Sequence, residues 1–91
     1  MDELVIVETM RPEFGMLVTV TAPRRSPVEY AYDTTMTDLG NHRQAAMRAM
    51  LSFEGPNFEL IGYVLIKPSF YQFVFKAIPA PRARRMASPG A

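Results

Sequence analysis

The sequence of 91 residues contains no cysteine and only one histidine, and these two shortages remove several classes of protein. Without cysteine there is no disulfide, no thiolate metal site and no cysteine nucleophile. A secreted protein of this size usually carries disulfides, so we expect an intracellular chain. The one histidine, His42, cannot form a metal site by itself, because such a site needs three or four ligands. We expect His42 to face solvent from the first turn of a helix.

The chain also lacks a hydrophobic run that could cross a membrane and a glycine-rich loop that could hold phosphate. The longest apolar run, Leu60 to Ile66, contains a glycine and is far shorter than the ~20 residues that span a bilayer. The N-terminus, Met-Asp-Glu, is acidic and therefore unlike a signal peptide. The serines stand in no nucleophile-elbow setting and share a single histidine. The sequence predicts a soluble, cytoplasmic protein that is not an enzyme and needs no metal or cofactor.

Acidic residues are absent from the C-terminal third of the chain. All nine of them lie between Asp2 and Glu59, together with five arginines, which gives this part a net charge of −4. From Ile61 onward there are two lysines, three arginines and no acid, a net charge of +5. Such asymmetry indicates an acidic region and a basic end that suit different partners, unless the basic tail only keeps the chain soluble.

The centre of the chain, from Gly40 to Tyr63, predicts one helix followed at once by a strand. Asn41 is a candidate N-cap, with Thr37 and Asp38 as alternatives. Gly55 and Pro56 end the helix, because glycine accepts a positive φ and proline cannot continue the hydrogen-bond ladder. Apolar residues recur at the spacing that places them on one helical face: Ala46, Ala49, Met50 and Phe53.

Alternating apolar residues predict five strands around this helix. The order β-β-β-α-β-β indicates an α+β domain, an antiparallel sheet of four to five strands with one helix packed on one face. Gly62 marks a bulge or a close approach within the fourth strand. We expect one domain over residues 1–79 and a flexible tail rich in proline and arginine over residues 80–91. The predicted strands are residues 3–10, 16–22, 28–34, 58–67 and 70–78.

One helix of about a dozen residues cannot cover both faces of a five-stranded sheet, yet the last two strands are apolar on both faces. A second cover is therefore expected. It is supplied by curling of the sheet over its own core, by a homodimer or by another partner. The aromatic residues that make up this surplus are Tyr63, Phe70, Tyr71, Phe73 and Phe75.

Residues 44–62, QAAMRAMLSFEGPNFELIG, resemble a segment of small phage-encoded anti-CRISPR proteins that inhibit type I CRISPR-Cas systems. In those proteins a helix rich in alanine and methionine stops at a turn of a small residue, Pro, Asn and an aromatic, and runs into an apolar strand. The resemblance implies a non-enzymatic inhibitor in the cytoplasm of a bacterial host. It would bind a type I surveillance complex, with subtype I-F among the candidates, and block recognition of target DNA.

Acidic side chains on such an inhibitor can occupy a DNA channel lined by lysine and arginine, and its arginines can reach guide RNA or an acidic protein surface. Two other functions stay open. One is a small RNA- or DNA-binding module that uses the loop and tail arginines, and the other is a homodimeric structural or accessory phage protein. The candidate partner-binding residues are Arg24, Arg25, Glu29, Asp33, Tyr71, Phe73, Arg82, Arg84 and Arg85.

Overall fold

In the computed structural model, which describes residues 3–78, five antiparallel strands form one sheet and a single helix lies on one of its faces. The predicted α+β fold and the order β-β-β-α-β-β are confirmed. The predicted tail, residues 80–91, lies outside the described residues, and with it Arg82, Arg84 and Arg85. The elements are β1 (Glu3–Met10), β2 (Leu17–Thr21), β3 (Val28–Ala31), α1 (Asp38–Glu54), β4 (Phe58–Lys67) and β5 (Phe70–Ala77).

The first and last strands pair with each other in the middle of the sheet. The strands lie side by side in the order β3-β2-β1-β5-β4. The β1–β2 and β4–β5 pairs are hairpins between neighbours in the chain, whereas β1 and β5 pair along their whole length, from Glu3 opposite Ala77 to Met10 opposite Phe70. The helix α1 carries the chain from one edge strand, β3, to the other, β4.

The core lies between α1 and the middle of the sheet. The predicted apolar face of α1 is confirmed, since Ala46, Ala49 and Met50 are fully buried and Ala45 nearly so. Their small side chains let the helix backbone approach the strands closely, which favours dispersion contacts over a wide area. The strand residues buried against them are Val7, Val18, Val20, Tyr71, Phe73 and Phe75.

The helix begins four residues earlier than an N-cap at Asn41 would require. Thr37 is the N-cap, and its hydroxyl oxygen accepts a hydrogen bond of 2.9 Å from the amide of Gly40. Asn41 is instead buried in the first turn, where its amide group bonds to both backbone groups of Asp33, at 2.6 and 2.8 Å. Because this side chain pairs with the Asp33 backbone, β3 ends at Ala31 rather than at residue 34.

Two glycines shape the connection from α1 into β4. Gly55 has φ 74°, and its amide donates to the carbonyl of Leu51 at 3.0 Å, which confirms it as the stop of the helix. Gly62 follows a register shift relative to β5, so the predicted bulge is present. A Cβ added to Gly62 would meet nothing within 4 Å, so the bulge, and not a close approach, is the feature found at this position.

The face of α1 that packs on the sheet can be tested with two methionines of the same helix. Met50 is fully buried, whereas Met47 is 38% exposed. We expect Met50→Ala to lower the free energy of unfolding by about 2–5 kcal/mol, through lost burial and the cavity that remains. Met47→Ala should change it by less than about 0.5 kcal/mol. Urea denaturation at neutral pH measures both, and equal losses would show that the helix packs on another face.

Candidate functional site

Within residues 3–78, no element covers the centre of the sheet face opposite α1. Residues opposite one another on neighbouring strands point to the same side, so Ile6, Val74 and Gly62 form one row across three strands. Ile6 is 45% exposed although it lies on the central strand. We call this surface the open face. Its apolar residues are Leu4, Ile6, Met10, Leu17 and Val64, which are exposed, with the partly buried Phe70 and Val74 among them.

Charged and polar residues lie within and around the apolar surface of the open face. Glu8 lies between Ile6 and Met10 on the central strand, and its carboxylate accepts a hydrogen bond of 3.2 Å from the side-chain amide of Gln72 on β5. Glu59 and Lys67 lie at opposite ends of β4, and Glu29 lies on the edge strand β3. A mainly apolar surface that also carries polar and charged groups is usual for a protein–protein interface.

The two predicted loop arginines have different surroundings. Arg24 is exposed in the turn after β2, with φ 61°. The guanidinium of Arg25 lies 5.1 Å from the centre of the Phe53 ring, donates to the Phe53 carbonyl at 3.3 Å and lies 3.5 Å from the Glu54 carboxylate. A cation at the C-terminal end of a helix is favoured by the helix dipole. Arg25 therefore holds the β2–β3 turn against the end of α1, and Arg24 projects from that turn.

The two predicted acidic residues also differ. Glu29 is exposed and lies opposite Thr19 on the open face. Asp33 accepts hydrogen bonds from the hydroxyl and the amide of Thr35, at 2.6 and 2.9 Å, and these bonds lower the pKa of its carboxyl group. Asp33 therefore stabilises the turn that leads into α1, and Glu29 alone of the pair lies beside the apolar surface described above.

The prediction that Tyr71 and Phe73 form part of a partner-binding surface is wrong for these side chains. Phe73 is fully buried and Tyr71 nearly so, because both point from β5 toward α1, on the same face as Val7. Their rings lie 5.9 Å apart within the core. The excess apolar surface expected from the sequence is present, but it lies on the open face and along β4.

Of the residues on the open face, only Phe70 and Glu29 are among the aromatic and partner-binding residues predicted from the sequence. A signal existed in β1, where both alternating sets are apolar, so that burying Val5 and Val7 leaves Leu4 and Ile6 on the other side. Sequence reasoning also missed Phe14, which is 89% exposed at the tip of the β1–β2 turn and has φ 62°. A bulky residue at positive φ is strained, and such strain is found at binding loops more often than elsewhere.

The prediction that His42 faces solvent is also wrong, because its side chain is fully buried between α1 and the sheet. Its Nδ1 forms a hydrogen bond of 2.7 Å with the hydroxyl of Thr9 on β1, and its ring lies 4.6 Å from that of Tyr71 on β5. The other nitrogen, Nε2, lies 3.6 Å from Asp38 and has no hydrogen-bond partner. The position of His42 one turn after Asp38 follows from their spacing in the helix.

Asp38 connects the first turn of α1 to the segment after β3, to the β4–β5 turn and to β5. Its carboxylate accepts hydrogen bonds from the hydroxyls of Ser69 at 2.7 Å, Tyr32 at 2.9 Å and Tyr71 at 3.4 Å. Partial burial opposes its ionised form, but these hydrogen bonds and the nearby His42 lower the pKa of Asp38 below its ordinary value. The Ser69 hydroxyl is bonded to Asp38 and not to His42, so this group lacks the nucleophile–base contact of a hydrolase. Its arrangement indicates a structural role.

Comparison with protein-family models, with curated proteins and with solved structures finds no match for this chain. In the part of the chain that the structure describes, no helix is long and apolar enough to cross a membrane. Within residues 3–78, no group of three His, Asp or Glu side chains is arranged to hold a metal ion. The candidate site is therefore defined by geometry alone, as the open face with the charged and polar residues that it carries.

The buried histidine predicts how stability depends on pH. Burial lowers the pKa of His42, and the positive charge of Arg11 acts in the same direction, while Asp38 opposes both. The folded state therefore binds fewer protons than the unfolded state between the ordinary value of 6.5 and the lowered folded pKa. We expect the free energy of unfolding to be highest above that ordinary value and to fall as the pH drops through this window.

Urea denaturation between pH 8 and about pH 5 measures this loss, because carboxyl groups with ordinary pKa values near 4 titrate mostly below that range. In His42→Gln the loss over the same range should be smaller, even if the variant is less stable at every pH. The neighbouring Arg43 is exposed, so Arg43→Gln serves as the control and should keep the wild-type slope. If the free energy of unfolding of His42→Gln fell with pH as steeply as that of the wild type, the loss could not be assigned to His42.

Proposed function

We propose that this chain is a non-enzymatic inhibitor that docks the open face on another protein, and that its target is a type I CRISPR surveillance complex. Occupation of the complex would block recognition of target DNA. The observation that carries the binding role is the open face itself, an apolar surface across the central strands of the sheet. The target is supported by the resemblance of residues 44–62.

The open face has the composition of a docking surface. Large apolar patches on a soluble domain mark interaction sites, since their exposure to water is unfavourable. Here the apolar residues lie on paired strands, so a partner would meet a rigid surface and lose little conformational entropy on binding. Phe14 projects at the hairpin end of the same sheet and would extend the contact beyond the strands.

Two features support a target that normally holds nucleic acid. Residues 44–62 fold as a helix, a turn and the first half of an edge strand, which is the arrangement that the resemblance implies. Glu8, Glu29 and Glu59 lie on the open face, where they would meet the lysines and arginines that line a DNA channel. Such complementarity mainly speeds association and selects the partner.

The arginines of the described residues favour protein binding over the alternative of a nucleic-acid-binding module. Arg11 is stacked 3.8 Å above the Tyr32 ring, and Arg25 is held at the end of α1. Arg43 and Arg48 are exposed on the outer side of α1, away from the open face. A nucleic-acid-binding domain usually gathers its basic residues on one face or along one groove. These four arginines and the exposed Arg24 are divided among the β1–β2 turn, the β2–β3 turn and the outer side of α1.

The proposal can be tested in a bacterial host with active type I immunity, beginning with subtype I-F. Expression of the full chain should raise the plating efficiency of a phage that the host targets. The purified chain should co-elute with the surveillance complex and lower its binding to target DNA. Failure to restore plating against every type I system tested would overturn the proposal.

A pair of matched variants tests whether the open face is the surface that docks on the complex. Ile6→Lys places a charge in the centre of the open face and should abolish both the rescue of plating and the co-elution. Leu51→Lys places the same charge on α1, where Leu51 is 53% exposed, and should retain both. Circular dichroism and thermal unfolding confirm that each variant is folded. Equal activity of the two would show that the open face is not the docking surface.

A further inference from the structure

The edge strand β4 is long, apolar and open on both faces. It has ten residues, and beyond its partner β5 no strand of residues 3–78 pairs with it. The helix packs on β1, β2, β3 and β5 and leaves β4 largely uncovered. A row of unpaired backbone groups beside apolar side chains is a template for pairing with another strand. The exposed residues of its central part are Ile61, Tyr63, Val64, Leu65 and Ile66.

The opposite edge of the sheet, β3, is less suited to pairing with another strand. The strand β3 has four residues, follows Pro27 and carries the exposed Glu29. Short length, a nearby proline and a charge are three of the devices by which natural sheets prevent pairing at an edge, and β3 has all three. A bulge is a fourth device, and it is the one that β4 has. Between Glu59 and Lys67, β4 contains neither a proline nor a charged residue. The two edges therefore differ in the way expected if only β4 receives a partner strand.

We propose that the occupant of this edge is a second copy of the same chain, paired antiparallel through β4 about a two-fold axis at Tyr63. The sequence of the strand is complementary to itself in this register. Glu59 and Lys67 each lie four residues from Tyr63, so each glutamate lies opposite the lysine of the other copy. Both residues pair with β5 residues of the open face, which places the opposite charges on the same side of the joined sheet.

The register also suits the bulges of β4. The ladder to β5 skips Ile61 and Ile66, which have no partner residue there. With the axis at Tyr63, Ile61 lies opposite Leu65 of the second copy and Ile66 lies opposite Leu60. Gly62 lies opposite Val64, and since nothing occupies the space beside Gly62, the larger side chain can be accommodated there.

A two-fold axis perpendicular to the sheet keeps the open faces of both copies on one side of a ten-stranded sheet. This inference does not rest on the proposed function, because it uses the edge of the sheet and not the target of its open face. A chain that dimerises through β4 without affecting immunity would support the dimer and overturn the inhibitor. A monomeric chain that inhibits immunity would support the inhibitor and overturn the dimer.

A single cysteine provides a direct test, because the chain has none of its own. In the proposed register, Tyr63→Cys places two thiols across the axis with Cα atoms about 4.5–5.5 Å apart, within the range of a disulfide. We expect mild oxidation of the full chain to convert most of this variant into a covalent dimer at micromolar concentration. Glu29→Cys, on the exposed edge of β3, is the control and should stay monomeric on a denaturing gel.

Exchange of the two charges tests the register. Glu59→Lys leaves two lysine pairs across the axis, and Lys67→Glu leaves two glutamate pairs, so each variant alone should dimerise about tenfold more weakly than the wild-type chain. An equal mixture of the two variants should form a heterodimer with wild-type affinity, because every lysine then faces a glutamate. Analytical ultracentrifugation of the single and mixed samples over a range of concentrations measures these affinities.

The outcomes separate the alternatives. Efficient cross-linking at residue 63 together with recovery in the mixture supports the proposed pairing. A wild-type chain that sediments as a monomer at every concentration overturns it, as does equal cross-linking of the two cysteine variants. If neither charge substitution weakened dimerisation, the contact would lie elsewhere, for example between open faces. This result would also overturn the β4 register.

Discussion

The width of one helix relative to a five-stranded sheet determines which apolar residues of this protein are buried and which are exposed. Strands about 4.8 Å apart make a sheet of five roughly 24 Å wide, whereas a helix with its side chains is about 10 Å across. The helix α1 therefore covers the middle strands of one face and nothing of the other. Every exposed apolar residue of β1 and β4 follows from this mismatch. Burial of Met50, Phe73 and Phe75 stabilises the fold, and the same arrangement leaves Ile6 and Val64 in contact with water.

A helix that meets the sheet through small side chains needs further connections to hold its position. These are concentrated in its first turn, where Asp38 accepts hydrogen bonds from Tyr32, Ser69 and Tyr71, and His42 bonds to Thr9. Asn41 joins the same turn to the end of β3 through the backbone of Asp33. At the far end, Arg25 joins the β2–β3 turn to Glu54. The polar side chains of these connections thus orient α1, whereas the open face and the edge of β4 are mainly apolar.

The two uncovered surfaces are of different kinds. The open face offers side chains on a rigid sheet and suits a partner with a complementary apolar surface. The edge of β4 offers backbone hydrogen-bonding groups and suits another strand. The two surfaces share charged residues at one side of the sheet, since Glu59 and Lys67 lie on the open face and also at the two ends of the edge strand. A chain that used both surfaces would present two open faces from one dimer, which would raise its avidity for a target with repeated subunits.

The sequence by itself determined the elements of this protein. The 3.6-residue spacing of Ala46, Ala49 and Met50, the stop at Gly55 and the alternation along β1 and β4 are local patterns, and each formed the predicted element. It also determined that one helix would leave part of the sheet uncovered. Only the tertiary structure decided which part, because that depends on the pairing of β1 with β5, which are distant in the chain. The same pairing directs the side chains of Tyr71 and Phe73 into the core and leaves those of Leu4 and Ile6 exposed on the open face. Likewise, the burial of His42 and the role of Asn41 depend on how the first turn of α1 meets Thr9 and Asp33, contacts that no periodicity in the sequence encodes.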